Sequence, residues 1–515
     1  MIKAVIKKWG LPFFIIAIAI PLLAYTYLNP DVPWLVNESQ RFFAGGHYAI
    51  DFVDPNPPMI LYLYFPIVIL MRFNFSFMSA TLTYVSLLCF VSLLLCNNIL
   101  NQTLEKKDER HYWLLPALTF VFFITPQNIF SQREHLFIVL TLPYILLLGN
   151  LLRPQMRFSR FSIRGFLFRC VIAILAGLGF CLKPYFFMIL IVFEGYVSWI
   201  NHQWRSWMRL EVWLIIAVLV AYLLSILLFS PEYYTFIVPL VYHYYIGYAA
   251  IPRVFLLDNS FGVLFLLSIG IGLWNFKPRD INALLSLGIF CGLFLYLLPA
   301  QSWYYHALPM ISFCMLLLFS TLALAMKELT KPKLSKYFFL ALNLFAILFG
   351  LYHIFLISIS NVFYSHSNKN PINKIIQYIK QHPPIYTLYA LSIYPSYSSG
   401  VSSVIKIDNV SRFNAFWMLP MLIQQWQSTP HPSQRLLSTI QFVQNAVVDD
   451  FKRTPPDIVI VDLSGTTIAD LQNSSYLNFF KQNKAFAALW KNYRYQQMIG
   501  NSAIYLRSDI LKPRA

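Results

Sequence analysis

Pro57-Pro58-Met59-Ile60-Leu61-Tyr62-Leu63-Tyr64-Phe65-Pro66-Ile67-Val68-Ile69-Leu70-Met71-Arg72 is the stretch on which the fold turns. It is apolar, yet the run over 58–71 falls short of the roughly 20 residues a helix needs to cross a bilayer. Two prolines precede it, Pro66 interrupts it and Arg72 ends it. It reads as a juxtamembrane or re-entrant helix. Counted as a span, it would invert the sidedness of everything after it.

The rest of the chain is built from longer runs. Of 515 residues, 58% are hydrophobic and 12% charged, against about 25% charged in an average soluble domain. Leaving out 58–71, the apolar runs predict about eleven transmembrane helices. They lie at 11–28, 77–100, 112–126, 136–152, 166–182, 185–200, 211–229, 259–274, 281–298, 307–326 and 337–359. The first follows Lys3, Lys7 and Lys8 and is read as a retained helix, since Asn29-Pro30-Asp31-Val32-Pro33 makes a poor cleavage site.

Charge fixes the orientation. The N-terminus and the loops 101–111, 153–169, 201–210, 275–280 and 327–336 hold 19 Lys and Arg, with Arg153, Arg157, Arg160, Arg164 and Arg169 in one of them. The opposite loops hold five: Arg41, Arg72, Arg133, Lys183 and Arg253. Basic residues near span ends stay in the cytoplasm, so the N-terminus is expected inside and the tail after 360 outside. The net charge of +18 is thereby a topology signal, and nucleic acid is not the expected partner.

The expected organisation is mainly α: a polytopic membrane domain over 1–360 and a small soluble α/β domain over 361–515. In the tail, a helix is predicted at 371–381, strands at Ile385–Leu391 and Ile458–Leu463, and a helix at 467–482. The six cysteines, Cys89, Cys96, Cys170, Cys181, Cys291 and Cys314, all fall in apolar runs, which leaves no disulfide framework in the tail. No Walker, GxGxxG, HExxH or GxSxG context is present. That argues against an ATPase, a soluble-type dehydrogenase, a zincin or an α/β hydrolase.

The outward loops carry the chemistry. Asp31 follows the first run by a few residues, with a helix-like stretch at 34–44 and Glu38, Asp51, Asp54 and Asn56 in the same loop. Arg133-Glu134-His135 opens an apolar run, and ionisable residues at such positions are costly unless they have a role. Leu182-Lys183-Pro184 lodges a lysine between two runs, and Trp303-Tyr304-Tyr305-His306 opens another. Acids, cations and histidines on one leaflet suit a substrate with a phosphate head and a lipid tail. Carboxylates would act as general base toward a hydroxyl and cations would stabilise a departing phosphate. Plainer readings exist: Asp31 as a helix cap, Lys183 as a snorkelling anchor, His306 in an aromatic belt, Asp54 and Asn56 as shapers of a turn. Glu194, inside a run, fits helix pairing.

These stretches resemble the GT-C class of integral-membrane glycosyltransferases, above all the branch of protein O-mannosyltransferases and the aminoarabinose transferase that modifies lipid A. The likeness rests on Asp31 with the following stretch to Tyr48, on Asn56-Pro57-Pro58-Met59-Ile60-Leu61-Tyr62, on Ser131-Gln132-Arg133-Glu134-His135-Leu136, and on the Lys183 and Trp303–Pro309 segments. It spans about residues 1–360. Val32 stands where the class often has a second acid, and Asn56 where it often has a basic residue.

The resemblance implies transfer of a sugar from a polyprenyl-phosphate donor to an envelope lipid, glycan or protein. It implies Asp31 as the catalytic acid/base, Glu134 or His135 at the second acidic catalytic position and Lys183 on the lipid-linked phosphate. Arg133, Asp54, Asn56, His306 and Tyr304 join as substrate-binding candidates from their place in the outward loops. The cofactor is left open, a divalent metal ion held with help from Glu134 or His135 among the options. The expected place is the inner membrane, multi-pass and surrounded by the lipid bilayer, with the N-terminus cytoplasmic and the C-terminal domain periplasmic. Two competing readings are a transporter or flippase of lipid-linked sugars, which would place ionisable groups at mid-bilayer in paired halves, and a polysaccharide polymerase or ligase.

Overall fold

Long apolar runs can satisfy their own backbone only as helices, and each of the eleven expected runs is helical in the structure, a computed structural model. It describes residues 2–152, 163–246, 252, 259–274, 276–328, 334–382, 384–463 and 476–511. Arg153, Arg157, Arg160, Arg253, Lys331 and Lys333, and the part of the expected 467–482 helix before Tyr476, lie outside the described residues.

The chain divides into two compact units: Met1–Leu28 with Ser79–Ser225 and Ala250–Val362, and Asn29–Met78 with Ile226–Ala249 and Phe363–Ala515. Numbered along the chain, the first unit is built from α1 (Ile2–Ala24), α4 (Phe77–Thr103), α5 (Arg110–Phe123), α6 (Arg133–Leu151), α7 (Ile163–Phe180), α8 (Phe187–Ile200), α9 (Leu210–Phe229), α11 (Ser260–Trp274), α12 (Ile281–Leu297), α13 (Tyr304–Glu328) and α14 (Leu334–His366). The second holds α2 (Asp31–Phe43), α3 (Met59–Arg72), α10 (Val238–Tyr244), α15 (Pro371–Gln381), α16 (Ser399–Ser402), α17 (Leu419–Ser428), α18 (Gln434–Arg453), α19 (Tyr476–Lys481) and α20 (Lys484–Trp490). Its strands are β1 (Thr387–Leu391), β2 (Asp408–Asn409), β3 (Ile458–Asp462), β4 (Tyr493–Ile499) and β5 (Ser502–Arg507).

In the first unit, α6 and α13 are the buried helices, while α9 and α14 leave most of their apolar surface exposed. Small residues let the helices close on one another, as in membrane bundles. A Cβ on Gly292 of α12 would stand 2.5 Å from the Met310 backbone of α13, and one on Gly179 of α7 would stand 2.7 Å from Thr141 of α6. Among the described residues, six helices are long and apolar enough to cross a membrane: α4, α6, α7, α9, α13 and α14. Shorter apolar helices include the Lys8–Ala24 part of α1, α3, α11 and α12. Glu194 of α8 accepts from the Tyr144 hydroxyl and from Arg209 Nη2 at 2.6 Å, a helix-pairing role.

The second unit gathers the 29–78 segment, the 226–249 segment and the tail. Its sheet has the order β2-β1-β3-β5-β4, with β1 parallel to β2 and β3, and β5 antiparallel to β3 and β4. Both central strands are apolar on both faces because helices cover both faces. Leu388, Ala390, Ile458 and Ile460 pack with Ile375 and Ile379 of α15. On the opposite face, Tyr389 packs on Phe451 of α18, with ring centroids 4.9 Å apart. The strand expected over Ile385–Leu391 begins at Thr387, and the β4–β5 hairpin extends the sheet beyond the two expected strands.

Candidate active site

In the first unit three expected residues meet. The chain between α5 and α6 is irregular, with Gln127 and Ser131 at φ +52° and +78°. His135 holds it: Ser131 N donates to Nδ1 at 3.0 Å, and Nε2 lies 2.8 Å from the Phe122 carbonyl. With Nδ1 accepting, Nε2 carries the hydrogen and donates, so both ring nitrogens are spent on backbone. This fixes the first turn of α6, where Arg133 and Glu134 are buried. A carboxylate there also lies favourably along the helix dipole.

Lys183 arrives by a different route. The residue before a proline is driven to extended backbone, and Lys183, before Pro184, has φ −144° and ψ 141°. Its ammonium donates to Glu134 Oε1. His306, in the first turn of α13, brings Nδ1 to 3.3 Å from the same oxygen. Glu134 is 1% exposed, His306 4% and Lys183 7%.

Aromatic rings enclose the group. Lys183 Nζ lies 5.5 Å from the Tyr185 ring centroid and 5.6 Å from that of Tyr305, within cation–π range, and Trp303 stacks on His306 at 5.8 Å. Glu134 Oε2 and His306 Nε2 have no hydrogen-bond partner among the described residues. Tyr304 turns elsewhere, its hydroxyl donating to the Thr125 carbonyl at 2.7 Å.

In the second unit, Asp31 opens α2 as the acid of its first turn, half-buried, with Asn29 Oδ1 accepting from its backbone N at 3.0 Å. The helix ends where Gly45 takes φ +89°, the left-handed conformation that suits a C-terminal stop. Asp54 Oδ1 accepts from Asn56 N at 2.8 Å and from Asn56 Nδ2 at 2.6 Å, the turn geometry typical of an Asx residue.

Among the described residues, no group of three or more His, Cys, Asp or Glu gathers as a metal site. Glu134 Oε1 is held by an ammonium and both ring nitrogens of His135 are bonded to backbone.

The arrangement can be set beside solved structures. Apo ArnT from Cupriavidus metallidurans aligns at a TM-score of 0.56 and 10% identity, over 98% of this chain and 99% of its own. ArnT bound to undecaprenyl phosphate aligns at 0.54 and 12%, over 98% of this chain and 100% of its own. The chain shares the fold of these two ArnT structures. AglB from Archaeoglobus fulgidus, solved with an inhibitory peptide and a dolichol-phosphate, aligns at 0.49 and 11%, over 99% of this chain and 75% of its own. No protein-family model matches the sequence, and neither does any curated protein sequence.

Within this fold, sequence reasoning passed over Glu38 and Arg41 as site residues. Glu38 is wholly buried on α2 and accepts from Asn414 Nδ2. Burial above all, with the neighbouring Asp54 charge, pushes its carboxyl up to about 8, against the pull of Arg41, Asn414 and Trp34. Their signal was an acid and a cation three residues apart on a helix otherwise buried by Val32, Trp34, Leu35 and Val36.

Proposed function

We propose that this protein is a glycosyltransferase that moves a sugar from a polyprenyl-phosphate donor to an envelope lipid, glycan or protein. The observation that carries the reading is the buried Lys183–Glu134–His306 group in its aromatic frame. The fold supports it, since ArnT, of the same fold, has been solved with undecaprenyl phosphate.

In this reading Asp31 is the base. The acceptor hydroxyl oxygen attacks the anomeric carbon, the bond from that carbon to the phosphate oxygen breaks, and the hydroxyl proton passes to the Asp31 carboxylate. The electron pair of the broken bond stays on the departing polyprenyl phosphate. Lys183 and Arg133 stabilise that charge, and His306 donates to it once it is protonated. Glu134 neutralises Lys183 at rest and yields it when the phosphate enters. His135 and Tyr304 serve as positioning residues through their backbone bonds, and Asp54 with Asn56 shapes the turn before α3. The protein sits in the inner membrane with eleven spans, the N-terminus cytoplasmic, the reaction and the 361–515 domain on the outer face.

Incubating the purified chain with a polyprenyl-phosphate sugar and an envelope extract tests this. Release of free polyprenyl phosphate with sugar on the acceptor is expected; movement of the intact donor across a vesicle bilayer without release would instead favour a flippase.

A further inference from the structure

The second unit joins the Asp31 helix to the tail through a set of buried bonds. Asn414 is fixed by four of them. Its Nδ2 donates to Glu38, its Oδ1 accepts from Ser399 Oγ at 2.5 Å and Asn409 Nδ2 at 2.7 Å, and its carbonyl accepts from Ser398 Oγ. One turn on from Glu38, Arg41 donates Nη2 to the Asn409 carbonyl at 2.8 Å and Nη1 to the Asp51 carbonyl at 3.0 Å. The loop after α2 joins in by main chain: Val53 N donates to the Arg412 carbonyl at 2.9 Å, and Trp417 Nε1 to the Val53 carbonyl at 3.3 Å. Residues 409–414 are themselves anchored, because Arg412 and its backbone N both bond Asp450.

We infer that the 409–414 segment of the tail is a clamp that sets the place of α2 through Glu38 and Arg41, making the soluble domain a positioning element for Asp31. The inference rests on the reading of Asp31 as the base. A helix is rigid over the two turns from residue 38 to residue 31, about 10 Å, so fixing one end fixes the other. The clamp bonds use a side-chain amide, a guanidinium and main-chain groups, which are directional, and they add to the buried bond that ties α2 to α3, from Ser39 Oγ to the Leu61 carbonyl at 2.7 Å. The groups facing Glu38 are Arg41, Asp54, Asn414 and Trp34. None of the clamp residues is assigned to substrate.

The test compares full-length wild type, E38A, E38Q, R41K and D31N in detergent or nanodiscs. The readouts are kcat, donor KM and hydrogen exchange of the α2 amides. E38A and R41K are expected to speed exchange along α2 and to lower kcat roughly ten- to hundredfold, the order that a misplacement of about 1 Å produces. Donor KM should stay within about threefold. E38Q, which keeps the acceptor for Asn414, should restore both readouts. Unchanged α2 exchange in E38A and R41K would overturn the clamp. Faster exchange with unchanged kcat would overturn its positioning role. An active D31N would instead remove the base assignment, leaving the exchange result to decide the clamp alone.

Discussion

Two buried carboxylates, one in each unit, are held in different ways. Asp450 in the second unit accepts from Arg412 Nε at 2.9 Å, Arg412 N at 3.0 Å, the Tyr389 hydroxyl at 3.3 Å and Arg453 at 3.3 Å. Both of its oxygens are saturated. Glu134 in the first unit carries an ammonium and an imidazole on one oxygen, and the other has no partner among the described residues. A saturated buried carboxylate is expensive to disturb and useful for holding parts together. A half-satisfied one leaves a cation that a stronger anion can claim. On the proposed function, the contrast separates a structural joint from a site of exchange.

The largest effect that would break this contrast comes from Lys183. K183M should lower kcat/KM by roughly 10²–10³, the scale of losing one preorganised electrostatic contact. It should also destabilise the protein by about 3–5 kcal/mol, because the buried Glu134 loses its ammonium and keeps only the His306 imidazole. The double variant E134Q/K183M should regain the stability and none of the activity. Recovery of both in thermal-shift and transfer assays would make the pair merely structural.

Arg412 gives the complementary case. R412M should cost about 1.5–3 kcal/mol, the scale of one charged hydrogen bond, since Asp450 keeps Arg453, the Tyr389 hydroxyl and the backbone N of residue 412. The loss is read as lower protease resistance of the tail. Donor binding to the first unit should not change, because Arg412 touches only second-unit residues. A donor Kd that shifted with R412M would erase the distinction between joint and exchange site.

Glu38 sharpens it through pH. Its carboxyl titrates near 8 when folded and near 4.5 when free, so the folded state favours the protonated form. Its contribution to stability is fully present below about 4.5 and is lost as pH rises through about 8. Wild-type Tm should therefore fall across that window relative to E38Q, and wild-type activity should drop above pH about 8 where E38Q does not. Parallel pH curves for the two proteins would contradict the buried neutral carboxyl. The smallest effect is Y304F, which removes one hydrogen bond to Thr125 and should cost about 1 kcal/mol with only a small fall in kcat.

The apolar runs announce the helices of the first unit directly, since length and composition suffice for that. Glu134, Lys183 and His306 stand out locally as polar residues opening apolar segments. Their meeting does not, because Lys183 is 49 residues from Glu134 in the chain. Glu38 and Asn414 are 376 residues apart, and nothing in either neighbourhood points to the other. His135 bonds a backbone N–H and a backbone carbonyl and Tyr304 a backbone carbonyl, contacts that their residue types do not announce and that only the irregular 124–132 stretch explains. The β4–β5 hairpin was not expected from the sequence: β4 is mostly polar and shows no alternation, and only the turn at Gly500-Asn501, where Gly500 takes φ +59°, is of a kind a two-residue hairpin asks for.

The most direct test is release of polyprenyl phosphate from a polyprenyl-phosphate sugar by purified wild type and D31N. The account predicts acceptor-dependent release by wild type and a loss of roughly 10²–10⁴ in D31N, the scale of removing a general base, with donor affinity kept through Lys183. Equal release by both proteins, or none by folded wild type with any envelope acceptor, would contradict it.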